Sequence, residues 1–207
     1  MRKFRTAALA AVATVAALAT QAQATEVFGG VFAHDVTFIG DTIGVGAAGR
    51  ESGADIVLGV RSERIQSLGW LFKPQAHLFG SVNTNGTSDF VAAGLSWPIK
   101  LGGPFYFRPG IGMGVTSGKS HLPPANAPGL TPAEAQRRLH LNQTRIDFGS
   151  KVLFEPELGF GVHLNDRWSA EANWVHFSNG DILNGGNGKN QGIDDAGVRL
   201  IWRFGAR

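Results

Sequence analysis

The 207-residue chain contains no cysteine, so an exported form of it must hold together without disulfides. Its formal charge of +3 comes from 19 Lys+Arg against 16 Asp+Glu, but Arg2, Lys3 and Arg5 lie in the first 24 residues, which hold no acid. Subtracting them leaves 19 − 3 = 16 cations against 16 anions, which removes the electrostatic case for nucleic acid, and no later stretch reaches about 18 uninterrupted apolar residues, which excludes a transmembrane helix.

The opening "MRKFRTAALAAVATVAALATQAQATEV" has a basic start, a short alanine-rich apolar run and the small-x-small sequence Ala22-Gln23-Ala24. This is the pattern of a secretory signal peptide over residues 1–24, cleaved before Thr25. Residues 25–207 are then of a size for one domain.

Beyond residue 25 the sequence alternates. Candidate strands fall at 26–37, 54–61, 68–80, 89–101, 104–116, 145–163, 167–178 and 194–204. In 68–80, Trp70, Phe72, Ala76 and Leu78 oppose Lys73, Gln75 and His77. In 89–101, Val91, Ala93, Leu95, Trp97, Ile99 and Leu101 share a face. In 104–116, Phe105, Phe107, Ile111, Met113 and Val115 oppose Tyr106, Arg108 and three glycines. The longest run, 145–163, sets Ile146, Phe148, Val152, Phe154, Leu158 and Phe160 against Lys151, Glu155 and Glu157. Alternate residues of a strand share a face, so each segment has one apolar and one polar side. Within the long connection before 145, Thr131 and Glu134 form a possible capping box that predicts a short helix near "TPAEAQRRLHL".

The connections alternate as well. "SERIQS", "GG" and "LNDR" are short, and the segments between the other strands are long. Short turns at one end and long loops at the other predict an all-β fold, an eight-stranded antiparallel transmembrane outer-membrane β-barrel with both chain ends on the periplasmic side. A soluble barrel or sandwich is the alternative. Aromatics near strand ends and a glycine-rich polar parity of both signs favour the membrane barrel. Eight strands leave no open channel. Glu155, Glu157, Arg108, Lys151 and Arg199 are therefore expected to form interior ion pairs.

The seventh strand ends in "WVHFSNG". Trp168, Ala170, Ala172, Trp174, His176 and Ser178 share the outward parity, so a histidine and a serine reach the lipid-facing side near the outer edge. The last strand descends beside it, and its first outward residue is Asp194. Antiparallel neighbours share faces, so His176, Ser178 and Asp194 are candidates for one exterior cluster. These groups suit acyl transfer: a serine nucleophile, an imidazole base and a carboxylate that fixes the tautomer. The N–H or side-chain amide of Asn179 could serve an oxyanion. A histidine and a serine that merely bond headgroups or loop backbone are the structural alternative.

"HFSN" at 176–179 followed by "NQGID" at 190–194 resembles the lipid A 3-O-deacylase family, PagL type. The resemblance implies Ser178 as nucleophile, His176 as base and Asp194 as acid, with oxyanion donors at Asn179 and Gly180. It implies as substrate the 3-O-linked hydroxyacyl ester of lipid A in lipopolysaccharide, hydrolysed in the outer membrane of a Gram-negative cell. The implied partners are that substrate and outer-membrane lipid, with no nucleic acid, no cofactor, no metal, and a homodimer left open. The family's usual acid is glutamate, and Asp194 is one methylene shorter. Asp181 stands where the family has glycine, and Gly180 comes one place earlier. Asp195 has the inward parity. A non-enzymatic small outer-membrane barrel with a degenerate motif is the rival reading.

Overall fold

The computed structural model describes residues 24–44, 47–183 and 190–204. The leader reading of residues 1–24 thus lies outside the described residues, apart from the backbone of Ala24. Nine strands follow in order: β1 Ala24–Ala33, β2 Ala54–Arg64, β3 Gln75–Asn83, β4 Phe90–Ser96, β5 Ile99–Gly102, β6 Phe105–Thr116, β7 Val152–His163, β8 Trp168–Phe177 and β9 Ile193–Arg203. All pair antiparallel in the order β4-β3-β2-β1-β9-β8-β7-β6, and β4 closes the ring onto β6. Strands β4 and β5 are two parts of one stave, since both pair with β6. Pro98 lies between them and has no N–H to give the ladder. The fold is an eight-stranded antiparallel barrel, as the alternation predicts.

The first and last described segments meet on one side. Glu26 pairs with Arg203, and the Phe204 N–H donates to the Thr25 carbonyl at 2.9 Å. The long loops all leave the opposite rim. Among the described residues no helix is long and apolar enough to cross a membrane. The staves carry the apolar exterior instead. Val31, Leu58, Val91, Ile111, Leu158, Phe160, Val198 and Leu200 are exposed on the outward parity. So large a continuous apolar belt marks a lipid-facing surface. Trp168 and Trp202 pair at 6.4 Å between ring centroids near the end where the termini lie, as interfacial aromatics do.

The interior has two kinds of layer. Toward the end where β1 and β9 bring residues 25 and 204 together, Glu171 accepts from Arg108 Nε at 3.0 Å and Arg61 Nη2 at 3.3 Å. Arg199 Nη2 donates to Glu157 at 2.6 Å, and His77 Nε2 lies 3.1 Å from Glu155. The expected pairing of Arg108, Arg199, Glu155 and Glu157 is therefore present. Lys151 is a correction: it precedes β7 on the outer rim, and its ammonium donates to the carbonyls of Ser117 and Gly118. Interior glycines make room for the larger groups. Gly161 faces Tyr106 across the β6–β7 pair, and a Cβ there would run into the Tyr106 ring.

Above the charges lies an apolar layer that the alternation does not anticipate. It contains Phe28, Phe32, Phe79, Phe90, Phe148 and Phe177. Phe90 stacks on Phe177 at 4.2 Å and meets Phe148 edge-on at 5.9 Å. Arg61 and Arg199 place their guanidinium groups 4.4 and 4.9 Å from the Phe28 ring centre, joining the two layers. Truncating Phe90 to alanine empties the middle of this layer and should cost about 3–5 kcal/mol. The check is the urea midpoint of the refolded barrel in detergent.

The first expected strand stops at Ala33 instead of running to residue 37, and two others are shorter than the alternation suggests. Residues 145–151 belong to no strand. They fold inward over the barrel mouth and bury Ile146 and Phe148. Gly149 turns with φ 68°, and the Asp147 carboxylate accepts from the N–H groups of Leu122 and Gly149. Residues 66–71 form a 3-10 turn rather than the start of a strand. Phe72 and Lys73 are left-handed, at φ 58° and 53°, which ends the alternation and leaves Trp70 and Phe72 77% and 81% exposed. The third loop does hold the expected helix, Pro132–Thr144. Thr131 caps it by accepting the Glu134 N–H, and Glu134 binds Arg137 and Arg138. Those two guanidinium groups hold the Glu134 carboxyl down, to about 2.

Candidate active site

The last turn of β8 sorts its side chains by parity. Val175 and Phe177 enter the apolar layer inside the barrel, so Trp174 and His176 face outward. On β9, Ile193 and Asp195 are inside and Asp194 is outside. The register sets His176 directly opposite Asp194. His176 Nδ1 and Asp194 Oδ1 are 2.6 Å apart, the length of a charge-assisted bond. With the carboxylate as acceptor, Nδ1 is the donor of this bond. Trp174 lies against the imidazole at 6.0 Å with an interplanar angle of 27°.

This outward pair is nonetheless shielded: His176 is 4% and Asp194 0% exposed. The first loop runs along the outer end of β9. The Val36 N–H donates to the Asp194 carbonyl at 2.8 Å, and the Ala48 N–H to the Gly192 carbonyl at 3.1 Å. Asp194 Oδ2 is buried without a hydrogen-bond partner among the described residues. The carboxylate thus has one polar partner, the imidazole. In surroundings this dry, that interaction is stronger than in water.

Ser178 follows β8 by one residue. It still pairs as a strand: its N–H donates to the Phe154 carbonyl at 3.3 Å, and the Phe154 N–H to its carbonyl at 2.7 Å. Its side chain therefore keeps the parity of His176, about 6.6 Å further along. It is half-buried, and among the described residues no hydrogen bond joins its hydroxyl to His176. The structure brings His176 and Asp194 into contact and places Ser178 next to them on the same face.

Asn179 is fully buried and its polar groups are engaged. Its Nδ2 donates to the Phe148 carbonyl at 2.6 Å, its N–H to Asn190 Oδ1 at 3.2 Å, and its Oδ1 accepts from Asp181 N at 2.7 Å. Gly180 is exposed and left-handed at φ 60°, and among the described residues its N–H makes no hydrogen bond. Asp181 is exposed with φ 59°. Most of the run after it, residues 184–189, lies outside the described residues.

Asp195 points inward, as its parity predicts, and lies 3.3 Å from His34 Nδ1. His34 also meets Asp55 at 2.9 Å and Glu51 at 3.3 Å. Burial opposes its charge, but the bonds to Asp195, Asp55 and Glu51 prevail and push its pKa up to about 12. Two buried groups, His34-Asp55-Asp195 and His77-Glu155-Glu157, hold ligand-type atoms within 4.8 Å of one another. In each the imidazole already lies within hydrogen-bond distance of a carboxylate.

Sequence reasoning missed the two contacts that hold Asn179, Phe148 and Asn190, and it did not place the first loop, expected only as a long connection, beside β9. Asn190 stands in the "NQGID" run but gives no local sign of its partner. The first loop meets β9 only through tertiary folding.

A closed antiparallel barrel of eight staves, apolar outside and charged within, with a His–Asp pair on its outer rim, is an outer-membrane barrel that carries a polar site on its lipid side. Residues 58–203 match the family model described as Lipid A 3-O-deacylase (PagL), and the chain belongs to that family. The crystal structure of the outer membrane enzyme PagL is similar in fold, with a TM-score of 0.54 at 14% identity, over 86% of this chain and 99% of that one. Neisserial surface protein A is also similar, with a TM-score of 0.51 at 10% identity, over 88% and 99%. No curated protein matches the sequence. The family and these neighbours imply the outer membrane of a Gram-negative cell.

Proposed function

We propose that the protein is an outer-membrane esterase that hydrolyses the 3-O-linked (hydroxy)acyl chain of lipid A, with Ser178 as nucleophile, His176 as base and Asp194 as acid. Export through a leader spanning residues 1–24 belongs to this reading. The observation that carries it is the 2.6 Å bond between His176 and Asp194 on the barrel's exterior face, beside Ser178.

The chemistry follows from the tautomer. His176 Nε2 takes the proton as the Ser178 oxygen adds to the ester carbonyl, and Asp194 stabilises the imidazolium that forms. The tetrahedral intermediate collapses, the sugar oxygen leaves with the proton from Nε2, and the acyl chain stays on Ser178. A water molecule, deprotonated by the same nitrogen, then releases the fatty acid and restores the hydroxyl. The Ser178–His176 hydrogen bond is expected to tighten on substrate binding, as such bonds do. The oxyanion donors are the Gly180 N–H and Asn179, whose amide and N–H also hold Phe148 and Asn190 beside the site.

Position explains why the site lies on the outside. A lipid A ester already sits at the edge of the hydrocarbon, so an exterior triad needs no chain extraction. Polar groups near that edge cost about 0–1 kcal/mol, against about 2–4 kcal/mol for basic side chains at the midplane. In detergent micelles containing lipid A, the purified protein should release one hydroxy fatty acid per substrate. Asp194→Asn should lower kcat about 10²–10⁴-fold while the barrel stays folded, because it disturbs the tautomer rather than the frame. An unchanged rate would remove Asp194 from the mechanism, and a folded wild type that releases nothing would favour the non-enzymatic barrel.

A further inference from the structure

The first loop is built around one residue. Asp35 follows β1 by two positions and is left-handed, with φ 54°, a conformation that non-glycine residues seldom adopt and that clusters at functional sites. Its carboxylate is buried and accepts three backbone N–H groups: Gly49 at 2.9 Å, Arg50 at 2.5 Å and Glu51 at 2.9 Å. Its own N–H donates to Asp195 Oδ1 at 3.1 Å. One residue thus draws the two ends of a fifteen-residue excursion together and ties them to the outer end of β9. The next residue, Val36, gives its N–H to the carbonyl of Asp194. At the far end Ala47 bridges Gly192, and the Ala48 N–H donates to that residue's carbonyl.

Asp194 needs such help. Among the described residues its carboxylate has a single hydrogen bond, to His176, and its second oxygen has none. Nothing on the side chain itself fixes where the carboxylate lies, so its backbone must. That backbone is held by β8 on one side and by the first loop on the other. The family match begins at residue 58, so the loop and Asp35 lie outside the matched residues.

We propose that Asp35 is a positioning residue for the reaction: it folds the first loop onto residues 192–195 and so sets the Asp194 carboxylate against His176. Asp35 touches neither substrate nor the reacting groups and acts through Asp194. The kinetic part of the inference rests on the triad proposed above, whereas the geometric part does not.

The test uses the full-length protein refolded in detergent, with heat-modified gel mobility confirming a folded barrel. Asp35→Gly is the informative variant, because glycine keeps the left-handed backbone without strain and removes only the carboxylate. The first readout is the low-field Nδ1–H proton resonance of ¹⁵N-labelled His176, assigned by its loss in His176→Ala. The proposal expects this signal in wild type and its loss or large upfield shift in Asp35→Gly. The second readout is lipid A deacylation, where kcat should fall about ten- to hundred-fold with KM nearly unchanged, the size of effect a displaced catalytic group produces. In an Asp194→Ala background the same substitution should cost less than about twofold, since two residues acting through one contact are not additive. Asp35→Asn also tolerates the left-handed backbone and keeps one acceptor oxygen. It should fall between wild type and glycine, and it serves as the test if Asp35→Gly does not fold. A His176 signal that survives in the folded variant, or an equal loss of kcat in both backgrounds, would overturn the proposal. If wild type deacylates nothing, the functional reading fails on its own, and the His176 signal still decides whether Asp35 positions Asp194.

Discussion

Ser178→Ala should reduce lipid A deacylation by about 10⁴-fold or more, with the barrel still folded and inserted. The magnitude follows from the role proposed for the residue. Without the hydroxyl no acyl-enzyme can form, and the imidazole alone has no nucleophile held in line. His176→Ala should lose about as much, because members of such a unit fail together rather than in proportion. The double variant should be scarcely worse than either single one. Ser178 is half-buried at a strand end, paired to Phe154 through its backbone alone, so its side chain contributes little to folding. The measurement is fatty-acid release from lipid A by purified variants of equal gel mobility. Retention of more than about a tenth of the wild-type rate in Ser178→Ala would mean that the hydroxyl is not the nucleophile.

Glu171→Ala should destabilise the barrel by about 3–5 kcal/mol, the cost of removing one member of a buried ion pair. Glu171 accepts from Arg108 at 3.0 Å and Arg61 at 3.3 Å, and Arg199 lies 3.7 Å away. Its removal leaves three guanidinium groups close together in the lumen, with Glu157 and Glu26 the nearest remaining anions. Urea unfolding in detergent would register the loss as a lower midpoint. The same variant, assayed while folded, should deacylate at the wild-type rate, because Glu171 faces inward and the triad outward. Loss of activity in the folded variant would show that interior and exterior are coupled. A midpoint unchanged from wild type would show that the arginines find water or other partners at no cost.

These two variants divide the molecule along the parity of its strands. In β8, Glu171, Asn173, Val175 and Phe177 face the interior, whereas Trp174 and His176, with Ser178 just beyond, face the proposed site. That division is legible in the sequence, since a two-residue period needs only that the chain remain extended. It places Asp194 outside and Asp195 inside before any coordinate is known. The same argument misplaces residues 145–151. Their alternation is genuine, but the left-handed turn at Gly149 folds them over the mouth, and Phe148 becomes a plug instead of a lipid contact. Lys151 goes astray for the same reason. Trp70 and Phe72 alternate too, yet a 3-10 turn followed by two left-handed residues keeps them out of the strand.

The rest was hidden because it is not local. Nothing in the neighbourhood of Phe28, Phe79, Phe90 and Phe177 announces that these rings will converge in the lumen. Each is a phenylalanine on a polar parity, and only closure of the ring brings them together. The hydrogen bond that ties Asp35 to Asp195, the neighbour of Asp194, spans 160 residues of sequence. Asn179 gains structural contacts in the fold that its motif does not show. Read from its motif it is an oxyanion donor. In the fold its amide and N–H tie Phe148 and Asn190 together beside Ser178, and the adjacent Gly180 is left with a donor to spare.

The account's central claim is tested most directly by the lipid A mass spectrum of a Gram-negative host that expresses the full chain. Wild type should convert lipid A to a species lighter by one hydroxyacyl group, and Ser178→Ala at equal membrane abundance should leave it intact. Lipid A of unaltered mass from a host whose outer membrane carries the folded wild-type protein would contradict the account.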